Sequence, residues 1–179
     1  EKVTVEQLLA HRAGLVADDP MDLYAGTVPE IWAKKHRTRL ATPPGRRFVY
    51  SDAGYEVLGE MVRAVTGETL DVYSRKAVFE PLGMTETEFR PIGKGGRLAP
   101  ARIAPTEKRD GAFLRGEVHD PRARALGGVA GHAGLFGTAD DLARYARAVL
   151  GNGGGGDDEL WGGANSDWLE QPKPLEGVL

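Results

Sequence analysis

Apolar residues recur with the 3.6-residue period of a helix in four stretches of the chain. The clearest stripe follows Thr138, which is predicted to cap a helix together with Asp141 in a capping box. The residues expected to be buried along this stripe are Leu142, Tyr145, Ala146, Val149 and Leu150. The pattern predicts an amphipathic helix that begins at Ala139 and packs one face against other elements.

A second helical pattern follows the turn signal Pro44–Gly45. Ser51 and Asp52 are both good N-cap residues, and Gly67 is expected to end the helix. The apolar residues at helical spacing between these ends are Tyr55, Leu58, Met61, Val62 and Val65. A helix is therefore predicted to start directly after Tyr50.

Two shorter helices are predicted on either side of this one. The first starts at Thr4, where Gln7 completes a capping box, and ends at Gly14. The other runs from about Leu70 to Val78, because the residue before Pro81 resists the helical conformation. The inward-facing residues are predicted to be Val5, Leu8 and Leu9 in the first helix, and Leu70, Tyr73 and Ala77 in the other.

The chain between Gly83 and Gly137 is predicted to be irregular, because glycine and proline recur throughout it. Such a long connection inside a compact domain usually carries function or packs against neighbours that are missing. Strand signals are weak, and only Arg47–Tyr50 suggests a short extended approach. Gly153–Gly156, followed by three acidic residues, is typical of a flexible connection. Taken alone, the pattern predicts a mainly α-helical segment.

Composition narrows the possible functions. The 179 residues include 41% hydrophobic and 27% charged side chains, which is ordinary for a globular protein. With 26 acidic and 23 basic residues, the balance argues against nucleic acid as the main ligand. The absence of cysteine excludes disulfides, a thiol nucleophile and cysteine-ligated metals. No apolar run approaches the roughly 18 residues of a membrane span. Because the chain opens with Glu1 and has no leader pattern, we expect an excised or incomplete segment.

Several catalytic motifs are absent from these 179 residues. The three serines, Ser51, Ser74 and Ser166, lie in no Gly-x-Ser-x-Gly elbow. None is followed three positions later by lysine, so the Ser-x-x-Lys nucleophile motif is also missing. No glycine-rich stretch has the Walker A lysine that nucleotide binding requires.

Tyr50 and Asp52 are the candidates for catalysis. Pro44–Gly45 makes a turn, after which Phe48 and Val49 are expected to anchor an extended piece that ends at the helix N-terminus. A phenol there feels the helix dipole and free backbone N–H groups, which favour the phenolate. Beside a lysine ammonium it could take a proton from a nucleophile, and Asp52 could hold that lysine. On local sequence alone the structural alternative is favoured, in which Tyr50 is a half-buried staple and Asp52 an N-cap.

His119, Asp120 and His132 raise a metal alternative. Two histidines and a carboxylate can bind zinc, but their spacing matches no compact ligand pattern. Hydrogen bonding is the more common role of such loop residues. The sequence therefore predicts no metal.

The remaining histidines are interpreted as structural. His11 is expected at the end of the first helix, where a cation suits the dipole. His36 belongs to a basic run that is interpreted as a solvated face. The members of this run are Lys34, Lys35, His36, Arg37 and Arg39.

Four stretches together resemble the serine β-lactamase and penicillin-binding-protein-like hydrolases, particularly the branch related to class C β-lactamases. They are TVEQLLAHRAGL (4–15), RRFVYSDAGYEVLG (46–59), EPLGMTET (80–87) and GHAGLFGTADDL (131–142). They resemble, in the same order, the family segments TV-x-x-LL-x-H-x-SGL, Y-S/A-N with its helix, PLGM-x-x-T and GGL-x-ST-x-x-DL. Residues 116–121 and 127–130 are similar to the subgroup called penicillin-binding protein 4B-like.

The resemblance implies an α+β fold, with an antiparallel sheet flanked by helices and an all-helical domain. This segment would be mainly the helical domain, mostly α with long irregular loops. The family acts through an acyl-serine on β-lactams, peptidoglycan stem peptides or esters, and no cofactor is implied. Tyr50 matches the family's general base. Asp52 stands where many members have asparagine and would orient the lysine beside the nucleophile.

The segment departs from the family pattern at both ends. The family's Ser-x-x-Lys helix precedes the stretch that starts at Thr4, and its Lys/His-Thr/Ser-Gly strand follows the helix that starts at Ala139. His132–Gly134 imitates that triplet, but a capped helix follows within five residues, so we reject it. Residues 1–150 are thus predicted to be the helical portion, and 151–179 a glycine-rich connection and unassigned tail. Without its sheet domain the segment alone is expected to be inactive.

Three functional hypotheses follow. The leading one is a fragment of an acyl-serine hydrolase, acting on a small-molecule or peptide substrate. The alternative is a pseudoenzyme-like module that binds cell-wall peptide or a protein partner without catalysis. A third is a metal-dependent hydrolase that uses His119, Asp120 and His132. The residues themselves do not indicate where in the cell the protein acts. The family resemblance is compatible with an extracytoplasmic protein.

Overall fold

The computed structural model describes residues 2–90, 96 and 98–150, and over these it contains six α-helices and four short strands. The helices are α1 (Val5–Leu9), α2 (Val28–Lys35), α3 (Asp52–Thr66), α4 (Leu70–Ser74), α5 (Pro121–Ala125) and α6 (Ala139–Leu150). The strands are β1 (Glu88–Phe89), β2 (Pro105–Arg109), β3 (Ala112–Arg115) and β4 (Leu135–Phe136). The described residues therefore contain both helices and strands. That they form the helical domain of the family fold stays a prediction. Residues 151–179, predicted as connection and tail, lie outside the described residues.

The strands form two antiparallel pairs, both within the stretch that was predicted to be irregular. β1 pairs with β4, with Glu88 opposite Phe136. β2 and β3 form a hairpin whose turn residues, Asp110 and Gly111, both have positive φ angles, 50° and 85°. Asp-Gly is a favoured dipeptide for such a turn. The prediction of an irregular 83–137 is wrong, because the hairpin strands are too polar to show the alternation of a half-buried sheet.

The predicted start of α1 and both predicted ends of α3 are confirmed, whereas the predicted end of α1 at Gly14 is wrong. Thr4 Oγ1 accepts the N–H of Gln7 at 3.2 Å and Gln7 Oε1 accepts the N–H of Thr4 at 3.1 Å, although α1 stops well before the predicted Gly14. Ser51 caps α3 by accepting the N–H of Gly54 at 3.0 Å. Gly67 ends α3 in the left-handed conformation, with φ 75°.

The other two predicted helices are confirmed in position and corrected in detail. The helix predicted over 70–78 is α4 followed by a π-helical stretch, Arg75–Phe79. α6 starts at Ala139 as predicted, and Thr138 Oγ1 accepts the N–H of Asp141 at 3.2 Å. The Asp141 carboxylate instead accepts the Glu86 N–H and the Thr87 hydroxyl, each at 2.8 Å. Asp141 therefore ties α6 to the segment that leads into β1.

The sequence reasoning missed α2, which carries the centre of the core. Its capping box joins Thr27 to Glu30, whose Oε2 accepts the Thr27 N–H at 2.7 Å. Ile31 is fully buried and packs with residues from the 3-10 turn Met21–Tyr24, from α5 and from the chain around it. The other members of this core are Tyr24, Val118, Ala123, Leu126 and Ala130. The core therefore joins α2 to α5.

Several side chains predicted to be inward-facing are exposed. They are Leu9, Val65, Tyr73, Ala77 and, along α6, Leu142, Tyr145, Ala146, Val149 and Leu150. The predicted burial of the α6 stripe is wrong in this structure, since Leu142 is 64% and Leu150 84% exposed. None of the helices in the described ranges has both the length and the apolarity to cross a bilayer.

Candidate functional site

Tyr50 lies on the surface directly before the N-cap of α3. Its side chain is 67% exposed, so it is not the half-buried staple of the structural alternative. Phe48, predicted to anchor the approach, is equally exposed, and Arg47–Tyr50 belongs to no strand. The Tyr50 ring instead packs on the imidazole of His11, with ring centroids 4.6 Å apart. The phenol is therefore supported on one face and open to solvent elsewhere.

Asp52 is the first residue of α3, and its backbone N–H donates to the carbonyl of Ala17 at 2.8 Å. A carboxylate at this end of a helix is favoured by the helix dipole. Within the described residues, no hydrogen bond or ion pair engages the Asp52 carboxylate. One of its oxygens, an oxygen of Asp120 and a nitrogen of His132 all lie within 4.8 Å of one another. The structure thus brings Asp52 beside two residues of the metal alternative.

A glycine contact between α3 and the chain after α5 creates this arrangement. Asp52, Glu56 and Gly59 share one face of α3, at positions i, i+4 and i+7. A Cβ on Gly131 would lie 1.9 Å from the carbonyl oxygen of Tyr55, and one on Gly59 would lie 3.0 Å from the Gly131 nitrogen. Only glycine at 131 lets the two backbones approach so closely. This approach places His132 against the Asp52–Glu56 face.

His132 is held between two carboxylates in the interior, with 3% of its side chain exposed. Its Nε2 lies 3.0 Å from Asp120 Oδ1. Its Nδ1 lies 3.6 Å from Glu56 Oε1, beyond hydrogen-bond distance, and has no other partner within the described residues. His132 lies outside the strands, which agrees with our rejection of it as a strand triplet.

Asp120 caps α5 while it holds His132. Its Oδ1 accepts the N–H of Ala123 at 2.7 Å. Burial raises the pKa of Asp120, but the hydrogen bonds from the Ala123 N–H and the His132 ring outweigh burial and hold the pKa below its usual range. Asp120 is therefore ionised at neutral pH.

A buried ionic network lies on the other side of Glu56. Lys35 Nζ lies 2.7 Å from Glu56 Oε2 and also contacts the Asp19 carboxylate. The Tyr24 hydroxyl donates to Glu56 at 2.7–2.8 Å, and burial together with this carboxylate strongly raises the pKa of the phenol. Lys35 was predicted on a solvated face and is buried, so that prediction is wrong for this residue. Lys34, His36, Arg37 and Arg39 are exposed as predicted.

Asp52, Asp120 and His132 are the described residues that could hold a metal ion. Two carboxylates and an imidazole are a ligand set suited to zinc or manganese. The metal alternative with His119 is wrong, because that side chain is 70% exposed and its Nδ1 pairs with Glu107 at 3.2 Å. The sequence analysis grouped Asp120 with His132 but missed Glu56. The signal that could have identified Glu56 is its helical spacing from Asp52 and Gly59, which places all three on one face of α3. No sequence signal pointed to Asp19 or to the burial of Lys35.

Comparison with known proteins shows the family. A family model described as Beta-lactamase matches residues 1–172. The chain belongs to the beta-lactamase family. The resemblance drawn from the four sequence stretches is thereby confirmed.

A relative of this beta-lactamase-family chain is a protein of Escherichia coli (strain K12) named "Putative D-alanyl-D-alanine carboxypeptidase". The two are 37% identical over 178 residues. The match covers 88% of this chain and 41% of that protein. The chain thus spans less than half the length of this relative.

Solved structures of the family share the fold. The octameric penicillin-binding protein homologue from Pyrococcus abyssi aligns with a TM-score of 0.57 and 24% identity, over 85% of this chain and 35% of that one. The D-amino acid amidase from Ochrobactrum anthropi SV3 aligns with a TM-score of 0.56 and 22% identity, over 88% of this chain and 46% of that one. Carboxypeptidase and amidase are names of hydrolases, and this chain shares the fold of the two solved structures.

Proposed function

We propose that this chain is a segment of a serine hydrolase that forms an acyl-serine intermediate. The substrates would be β-lactams, peptidoglycan peptides or esters, and the nucleophilic serine and its lysine would come from a Ser-x-x-Lys motif outside the 179 residues. The observation that carries the proposal is the exposed phenol of Tyr50, placed directly before α3 and two residues from a carboxylate that no described residue engages. The names of the relatives, which are carboxypeptidase and amidase, support acyl transfer.

The proposed roles follow from what each group can do. Tyr50, as phenolate, would accept the proton of the serine hydroxyl while the serine oxygen attacks the substrate carbonyl. The same proton would pass to the leaving nitrogen or oxygen, and water would later hydrolyse the acyl-serine. The Asp52 carboxylate would accept a hydrogen bond from the lysine ammonium and keep it beside the phenolate. His132 and Asp120 would border this site without carrying a proton in the reaction.

The exposed apolar stripe of α6 supports the rest of the proposal. Leu142 and Val149 are 64% and 56% exposed, and uncovered apolar surface of this kind normally packs against something. We propose that the sheet domain of the same protein covers it. The segment alone would then be inactive and prone to associate. An extracytoplasmic location is part of this proposal, by resemblance to the family.

The proposal is tested by sequencing the coding DNA on both sides of the segment and then assaying the complete protein. We expect a Ser-x-x-Lys motif upstream and a Lys/His-x-Gly strand downstream. The probes are benzylpenicillin, an acyl-D-Ala-D-Ala peptide and p-nitrophenyl acetate. Mass spectrometry should detect at least one acyl adduct on the motif serine. A complete protein without the motif, or one that none of the probes acylates, would favour the non-catalytic binding module.

A further inference from the structure

His11 turns sharply at the end of α1. The helix ends at Leu9, and His11 has a φ of 55°, which is uncommon for a residue other than glycine. The turn directs both the carbonyl oxygen and the ring of His11 toward the segment that carries Tyr50. Such backbone conformations persist where surrounding contacts fix them.

His11 accepts hydrogen bonds from the backbone on both sides of Tyr50. Its carbonyl oxygen accepts the N–H of Val49 at 2.9 Å. Its Nδ1 accepts the N–H of Ser51 at 3.0 Å. A ring nitrogen that accepts from a backbone N–H carries no hydrogen, so the neutral ring holds its proton on Nε2. The backbone N–H groups of the residues on either side of Tyr50, Val49 and Ser51, are therefore both bound by one residue.

The imidazole also supports the Tyr50 ring itself. The ring of Tyr50 packs on it at a 37° tilt, and Tyr55 stacks on it with centroids 4.8 Å apart. Phe48 contacts it edge-on at 5.7 Å. Tyr55 is in turn held by a hydrogen bond from its hydroxyl to the carbonyl of Leu9 at 3.1 Å. An exposed phenol thus rests on a ring whose own position is fixed by α1 and α3.

We infer that His11 is a positioning residue for Tyr50, and that its Nδ1, as acceptor of the Ser51 N–H, holds the phenol in the geometry that catalysis needs. This inference rests on the proposed role of Tyr50 as base. His11 reaches the reaction only through Tyr50, and it is separate from the cluster of Asp52, Asp120 and His132. Displacement of a catalytic group by about 1 Å can lower the rate about a hundredfold. A small movement of residues 49–51 after loss of the His11 hydrogen bond would therefore slow acylation measurably.

Two substitutions separate the acceptor from the stacking surface. His11→Phe keeps an aromatic ring but cannot accept the Ser51 N–H. His11→Asn loses the ring, but its Oδ1 stands close to the former Nδ1 and can accept that N–H. His36→Phe is the matched control, because His36 is exposed and its ring contacts Trp32, far along the chain from Tyr50.

The complete protein is assayed with whichever of the three probes named above acylates it fastest. Two quantities are measured separately for each variant: the acylation rate constant and the dissociation constant of that probe. We expect His11→Phe to slow acylation by about 10- to 100-fold with little change in affinity. His11→Asn should stay within about threefold of the parent, since the hydrogen bond is kept. Parent-like acylation by His11→Phe, or a loss in His11→Asn as large as in His11→Phe, would overturn the inference.

If His11→Phe fails to fold, a comparison of His11→Gln with His11→Asn takes its place. The amide oxygen of His11→Gln lies nearer to the former position of His11 Nε2 and cannot accept the Ser51 N–H. We therefore expect slower acylation in His11→Gln than in His11→Asn. Equal acylation rates in the two variants would overturn the inference. Tyr50→Phe separates the two proposals. If it is as fast as the parent, the role of Tyr50 as base fails. If it is slow while every His11 variant is normal, only the role of His11 fails.

Discussion

Lys35 Nζ lies 2.7 Å from Glu56 Oε2, and the two side chains are 4% and 0% exposed. Glu56 also accepts the Tyr24 hydroxyl, and Lys35 also pairs with Asp19. A buried charge tolerates such surroundings only while its partners neutralise it and satisfy its hydrogen bonds. Removal of one member of this network would therefore leave a buried charge or hydrogen-bonding group of another member without its partner.

Lys35→Met should therefore destabilise the chain strongly. It leaves the carboxylates of Asp19 and Glu56 without a cation, and such losses cost about 3–5 kcal/mol. The free energy of unfolding in urea measures the effect. Arg37→Met is the matched control, because Arg37 is exposed two residues further along the chain. A loss below about 1 kcal/mol, in the range of exposed ion pairs, would contradict the network described here.

Capping residues made parts of this fold predictable from sequence. Ser51, Gly67 and Thr138 act through contacts within one turn of the chain, so their local sequence is sufficient. Lys35 and Asp141 show why the rest was not predictable. Lys35 pairs with Asp19, 16 positions away, and the Asp141 carboxylate binds the N–H of Glu86, 55 positions away. No local pattern therefore distinguishes these buried charges from solvated ones. For the same reason the sequence indicated Tyr50 and Asp52 but not the packing of His132 against α3.

Substitutions of Asp52 test the proposed hydrogen bond between its carboxylate and the lysine of the Ser-x-x-Lys motif. Aspartate and asparagine can both accept a hydrogen bond from an ammonium, whereas alanine cannot. In the complete protein we expect Asp52→Asn to keep acylation within about tenfold of the parent, and Asp52→Ala to lose about a hundredfold or more. The acylation rate constant is the readout, with the exposed Asp18→Ala as control. Equal rates for the parent and Asp52→Ala would remove Asp52 from the site.

The depressed pKa of Asp120 predicts a dependence of stability on pH. Because the folded pKa lies below the ordinary value of 3.8, the stabilisation is present above that value and is lost as pH falls through the folded pKa. Melting temperatures of the parent and Asp120→Asn should therefore converge on acidification below about pH 4. The hairpin-turn variant Asp110→Asn should track the parent throughout. A constant gap between the parent and Asp120→Asn would show that the carboxylate charge contributes nothing.

The uncovered face of α6 predicts association of the 179-residue chain. Leu142 and Val149 lie seven residues apart on this helix, and both are exposed. Changing both to glutamate should weaken self-association at least about tenfold, because each apolar side chain contributes about 1.5 kcal/mol or more when buried. Sedimentation velocity gives the readout, and Phe113→Glu on the hairpin is the control, since Phe113 is 63% exposed. A parent chain that is monomeric at every concentration, with a cooperative melt, would contradict this prediction.

The central claim is that Tyr50 is the base of an acyl-serine hydrolase, and Tyr50→Phe in the complete protein tests it most directly. The substitution removes one oxygen and keeps the ring that packs on His11. The quantity to measure is the acylation rate constant with the fastest of the three probes, beside Tyr73→Phe as an exposed control. We expect the acylation rate constant to fall about a hundred- to ten-thousandfold in Tyr50→Phe and to stay unchanged in Tyr73→Phe. Acylation by Tyr50→Phe at the rate of the parent would contradict it.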